Sequence, residues 1–114
     1  MTESFKDALQ KRLLVCDGAG GTMLYSKGAP INRCYEELNL LQPDLVRRLH
    51  RDYIKAGADI IETNTFGANV FKLRHFGLED KQETILRAGV ELALEEARQG
   101  AFVAGSIGPL GVAV

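Results

Sequence analysis

The sequence predicts an α/β fold, the N-terminal portion of a (β/α)8 TIM barrel comprising about three βα units, and three observations carry that reading. Apolar runs of strand length recur at residues 13–16, 59–62 and 101–107. Each gives way to glycine or polar residues at its carboxyl end, and helical stretches fill the intervals between them. Strand–helix–strand repetition of this kind requires parallel pairing through right-handed crossovers. An open doubly wound sheet is the competing architecture. It should carry a dinucleotide fingerprint after the first strand, but Gly18, Gly20 and then Met23 give GxG without the final glycine, and no tight helix start is expected there. In a barrel every strand's carboxyl end points to one mouth, which would gather Asp17, the loop 62–65 and Ser106.

Taken in order, residues 4–12 allow a short helix, with Ser4 as its cap and Phe5 and Leu9 on one face at i, i+4 spacing. Residues 13–16 then read as a strand covered on both faces, in which Cys16 would be a small buried hydrophobe. A buried helical segment is the alternative that periodicity alone leaves open. The run LLVCDGAGGT at 13–22 delivers Asp17 to a glycine loop. An acid at a strand's carboxyl end, followed by unblocked backbone N–H groups, can hold the ammonium and carboxylate of one small molecule, which describes an amino acid. Asp-Gly is equally a plain turn signal.

The connection from Asp17 to about Pro43 is long for a compact domain, and long connections tend to be functional. It contains an apolar patch at 23–25, turn signals at Lys27-Gly28 and Pro30, and a short helix around residues 35–38. Pro43 suits the first turn of a helix, Asp44 complements its dipole, and Leu45, Val46, Leu49 and Tyr53 form an apolar stripe. Gly57 ends this helix as a left-handed cap. Arg47, Arg48, Arg51 and Lys55 occupy its other side, a solvated face because Asp44 and Asp52 interrupt them. The second strand, 59–62, runs into ETNTFGAN. Helices follow at about 68–75, closed by Gly77, and at 79–99, where Leu86, Val90, Ala93, Leu94 and Ala97 recur at helical spacing. Gly100 stops the last helix, the third strand follows, and Gly108-Pro109 opens another loop.

Charge and cysteine usage exclude several function classes. With a formal net charge of −1 and Lys and Arg scattered among Asp and Glu, there is no basic face for nucleic acid. The first twelve residues are charged throughout, and no apolar run approaches the ~18 residues of a membrane span, so no membrane partner and a cytoplasmic location are expected. Two cysteines without CxxC spacing and two histidines do not make a metal site. Cys34 reads as a free loop thiol, and His50 and His75 as surface or hydrogen-bonded histidines. A phosphate-cradling GxxxxGK[ST] is absent, since Lys27 precedes Gly28. A complete barrel takes about 250 residues. Residues 1–114 are therefore expected to form a partial domain, truncated after its third strand, with sheet edges open to self-association.

DGAGGT at 17–22, CYEELNLLQPDLV at 34–46, YIKAGADIIETNTFGAN at 53–69 and GSIGPLG at 105–111 together resemble the amino-terminal part of the homocysteine S-methyltransferase domain. That is the zinc-dependent barrel of cobalamin-dependent methionine synthase and of betaine– and S-methylmethionine–homocysteine methyltransferases. The likeness is greatest to the bacterial bifunctional type joined to a methylenetetrahydrofolate reductase. The resemblance implies that Asp17 binds the homocysteine amino group, that the amides of Gly18 and Ala19 meet its carboxylate, and that Asn64, Thr65 and Glu62 line the same mouth. Glu62 could equally cap its strand or pair with a helix residue.

The resemblance also implies methyl transfer to a zinc-bound homocysteine thiolate, giving methionine, with methyltetrahydrofolate or cobalamin reached through modules outside this chain. The family's zinc ligands are a lone cysteine and a Gly-Gly-Cys-Cys pair on later strands, and this sequence contains neither. No catalytic or metal-ligating residue is therefore assigned, and the chain alone is expected to bind no zinc and turn over nothing. Two other readings stand beside this one. One is a catalytically inert truncated subdomain that needs a partner or the missing C-terminal part; the other is a different TIM-barrel enzyme with a phosphorylated substrate.

Overall fold

The computed structural model describes residues 3–29, 34–98 and 100–112. Helix α1 (Phe5–Lys11) is capped by Ser4, whose hydroxyl accepts the Asp7 N–H at 3.1 Å. Helix α2 (Gly21–Ser26) follows the glycine loop, and Gly28, at φ 106°, makes the turn after it. A 3-10 turn (Tyr35–Glu37) runs into α3 (Leu38–Leu41) and then α4 (Pro43–Lys55), with Pro43 in the first turn and Asp44 beside it. Strand β1 (Ile60–Glu62), α5 (Val70–Arg74), a second 3-10 turn (Glu79–Lys81), α6 (Gln82–Ala97) and β2 (Phe102–Ala104) complete the order. Gly57, Gly77 and Gly100 all take positive φ at helix ends, the left-handed conformation that glycine adopts without a steric cost. The turn expected at Pro30 and the helix end at Gln99 lie outside the described residues.

β1 and β2 pair in parallel, Ile60 with Phe102, Ile61 with Val103 and Glu62 with Ala104. Helix α6 is the crossover's main element, packed against both strands and against α4. The core has three parts. Leu24, Leu38, Leu45, Val46, Leu49 and Leu92 join α2, α3, α4 and α6. Leu73, Leu78 and Ile85, with Cys34 and Ala68, seat α5 against α6. Ile61, Ala93 and Ala97 bind the sheet to the helices. No helix among the described residues is long and apolar enough to cross a membrane.

Several expectations are corrected. Residues 13–16 do not form a covered strand. They lie parallel to β1 through one bridge, Cys16 to Ile60, with Asp59 and Ile60 N–H donating to the Val15 carbonyl at 2.7 and 3.1 Å. Leu13 is 93% exposed, Val15 58%, and Cys16 is exposed as well, because nothing among the described residues covers that face. A short helix does start directly after the glycine loop, at Gly21. In α1 the buried residue is Ala8, while Phe5 and Leu9 face outward, Phe5 meeting Phe102 edge-on at 5.4 Å.

The core side of α6 is Ile85, Gly89, Leu92, Ala93 and Ala97; Val90 and Leu94 of the expected stripe are exposed. The third strand is shorter than residues 101–107, and Ile107 is 93% exposed in the loop. The arginine face of α4 is not simply solvated: Arg47 pairs with Glu95 at 2.8 Å, and Arg51 holds Glu96 with two N–H groups at 2.9 and 3.1 Å. His75 is exposed, its Nδ1 3.0 Å from the Phe71 carbonyl. His50 is neither at the surface nor hydrogen-bonded; it is 1% exposed and both ring nitrogens are without partners among the described residues.

Candidate functional site

Parallel pairing puts the three carboxyl-terminal loops at one end of the sheet, and a cavity of about 370 Å³ opens between them. Asp17, Gly18, Glu62, Asn64 and Thr65 line it, together with Ser106 from the loop after β2. Ala19 does not: its carbonyl is turned onto the Tyr53 hydroxyl, which donates to it at 2.8 Å.

Asp17 is held by one oxygen and unpartnered at the other among the described residues. Its backbone N–H donates to the Ile60 carbonyl at 2.9 Å, and the Glu62 N–H donates to Oδ2 at 3.0 Å. Oδ1 is buried with no partner among the described residues. Burial raises the Asp17 pKa above its ordinary value, the bond from the Glu62 N–H pulls it back, and the Glu62 carboxylate raises it further. A buried acceptor beside a second carboxylate is completed best by a cationic donor, which supplies both a proton to share and a countercharge.

Thr65 and Asn64 line the cavity, but their polar atoms are committed elsewhere. The Thr65 hydroxyl donates its one proton to the Ser106 carbonyl at 2.7 Å. Thr63 must therefore be the donor in the 2.7 Å contact between the two threonine hydroxyls, and it also accepts the Ser106 N–H at 3.1 Å. The closed set clasps the end of β1 to the loop after β2. Both amide protons of Asn64 are likewise used, on the Tyr35 carbonyl at 2.8 Å and on Asn39 Oδ1 at 2.9 Å. Asn39 in turn donates to the Asn64 and Ile85 carbonyls at 2.9 and 3.2 Å. These two residues shape the wall and hold the loop.

Glu36 accepts the Gly67 N–H at 3.0 Å, bracing the same loop from the other side. Helix α6 comes close enough to support it only because residue 89 is glycine; a Cβ there would lie 2.8 Å from both Asn39 Nδ2 and Thr65 Cγ2. Tyr53, Asn39, Glu36 and Gly89 belong to the site although no sequence motif marks them. Asn39 meets its partners 25 and 46 positions away, and Tyr53 meets the Ala19 carbonyl 34 positions away, so no local motif could mark them.

Donors for a metal do not converge. Among the described residues no three His, Cys, Asp or Glu side chains form a metal-binding group. Burial pushes the Cys34 thiol up to about 11, which disfavours the thiolate a metal would take.

A family model described as homocysteine S-methyltransferase matches residues 14–114. The methionine synthases of Mycobacterium tuberculosis and Mycobacterium leprae are each 35% identical over 115 residues, an alignment covering 90% of this chain and 10% of theirs. Among solved structures, the metallated homocysteine methyltransferase MmuM of Escherichia coli aligns with TM-score 0.75 at 29% identity, over 91% of this chain and 41% of that one. Its oxidized form aligns with TM-score 0.75 at 31% identity, over 90% and 40%. The chain thus spans about a tenth of the methionine synthases and about two fifths of MmuM.

Proposed function

The chain belongs to the homocysteine S-methyltransferase family, and from that premise we propose that its cavity holds the amino-acid end of homocysteine in a protein that methylates the homocysteine sulfur to give methionine. The carrying observation is the buried, unpartnered Oδ1 of Asp17. The substrate ammonium donates to it, its positive charge answering both Asp17 and the neighbouring Glu62. The substrate carboxylate meets the N–H groups of Gly18 and Gly20, which line the cavity where Ala19 does not, and the lack of bulky side chains lets a ligand approach the backbone there. Asn64 and Thr65 enter as wall and brace, through the hydrogen bonds that tie down their polar atoms. Asp17, Glu36 and Glu62 line one cavity, which disfavours a phosphorylated substrate by charge repulsion.

The parallel order of the 13–16 segment, β1 and β2, with their loops at one mouth, supports a (β/α)8 barrel as the parent architecture. In such a barrel the exposed Leu13 and Val15 gain cover; without it these edges favour self-association. Family members use zinc to activate the thiol, but the donors described here do not fit that ion, and no step through it is assigned to these residues. This chain's share of the reaction is to bind and orient the amino-acid end. A methyl donor such as methyltetrahydrofolate or cobalamin is assigned to the protein beyond this site.

Calorimetric titration of the protein with homocysteine tests the assignment. Asp17→Asn keeps the shape and removes the charge, and should weaken binding by about 10- to 100-fold, the worth of one charge-assisted hydrogen bond. Equal affinity in the two proteins refutes it.

A further inference from the structure

We propose that Tyr53 is a positioning residue for the amino-acid site, its phenol setting the direction of the peptide groups in the glycine loop; this rests on the reading that homocysteine occupies the cavity. Residues 18–21 carry no side chain larger than the methyl of Ala19, so the loop has little of its own to hold its peptide planes. Tyr53 supplies the hold by donating to the Ala19 carbonyl at 2.8 Å. A trans peptide is planar, with C=O and N–H pointing in opposite directions. Fixing the Ala19 carbonyl on the phenol therefore fixes the Gly20 N–H away from it.

The phenol reaches the loop because residue 18 has no side chain: a Cβ there would lie 3.1 Å from the Tyr53 oxygen and 3.5 Å from its ring. Tyr53 is itself well anchored. Its ring packs against the α2–α4 core and against the cluster around Ile61, and its carbonyl accepts the Ala58 N–H at 3.0 Å. Tyr53, Gly18 and Gly20 all line the cavity. Phenylalanine would satisfy the same core contacts, so it is the hydroxyl that couples the core to the loop.

The test is Tyr53→Phe in the intact protein, read by three measurements: titration with homocysteine, titration with 3-aminopropanethiol, which lacks the carboxylate, and amide hydrogen exchange over residues 18–21. Homocysteine affinity should fall about five- to tenfold, the size of one neutral hydrogen bond. Affinity for the carboxylate-free amine should stay unchanged, and loop exchange should quicken while the melting temperature moves little. Wild-type homocysteine affinity together with wild-type loop exchange overturns the proposal, as does a parallel loss of affinity for both ligands. Gly18→Ala attacks the same bond from the other side: it should speed loop exchange in the wild type and add nothing in Tyr53→Phe. An equal Gly18→Ala effect in both backgrounds also overturns it. If the wild type binds no homocysteine, the substrate reading fails by itself, and the exchange measurements still decide whether Tyr53 holds the loop.

Discussion

His50 should make the stability of this fold acid-sensitive well above the pH at which exposed carboxylates titrate. The side chain sits on the buried face of α4, 1% exposed, with neither ring nitrogen hydrogen-bonded among the described residues. Burial lowers its pKa from 6.5 to about 4, and the nearby Glu96 only partly opposes that shift. Between those two values the unfolded chain binds the proton and the folded chain does not, so stability falls as the pH is lowered. At about 1.4 kcal/mol per pH unit, the gap amounts to about 3 kcal/mol, a large share of the roughly 5–15 kcal/mol that holds a typical domain folded.

Urea denaturation followed by circular dichroism, from about pH 7 down to about pH 4.5, measures the loss in the wild type and in His50→Leu. The wild type should lose about 2–3 kcal/mol more than the variant over that range. His50→Leu should be at least as stable at neutral pH, because it replaces two unpartnered polar atoms with an apolar side chain of similar size. The other groups with shifted pKa values, Asp17, Asp52 and Glu95 among them, are common to both proteins and cancel in the difference. Equal pH slopes, or a variant less stable by about 2 kcal/mol at neutral pH, would show that the ring nitrogens have partners and refute the reasoning.

The site and the thiols yield further expectations. Gly89→Ala, ordinarily stabilising in a helix interior by about 1 kcal/mol, should here destabilise by about 1–3 kcal/mol, since the new methyl overlaps Asn39 and Thr65; a raised urea midpoint would contradict the close approach of α6. Iodoacetamide at neutral pH should label exposed Cys16 readily and leave Cys34, 4% exposed with its thiol pushed up to about 11, unmodified until unfolding, as peptide mass spectrometry can follow. Equal labelling of the two would mean that the segment carrying Cys34 opens.

Local chemistry made much of the fold legible. Ser4 caps α1 because its hydroxyl can take an orphan N–H, Pro43 begins α4 because its ring presets φ, and Gly57, Gly77 and Gly100 close helices because only glycine enters the left-handed region cheaply. The convergence of Asp17, Glu62, Asn64, Thr65 and Ser106 was legible too, since parallel strands place their carboxyl ends together. Helix α6 is apolar on two sides, so Val90 and Leu94 satisfy the helical period as well as Ile85 and Leu92 do and yet stay exposed. The 13–16 segment is apolar yet exposed because apolar composition reports what a segment can bury, while burial needs a neighbour on each face.

By itself, then, the sequence determined the alternation of strands and helices, the starts of α1 and α4, the glycine closures at Gly57, Gly77 and Gly100, and which end of the sheet carries the polar residues. These follow from interactions within a few residues of one another. The tertiary structure alone decided which of those polar residues remain open to a ligand. Asp17 keeps one oxygen unpartnered, whereas Thr65 and Asn64 spend their donors on Ser106, Tyr35 and Asn39. A side chain's free hydrogen-bonding capacity is what remains after distant neighbours have taken theirs, and those neighbours lie 25 to 41 positions away along the chain.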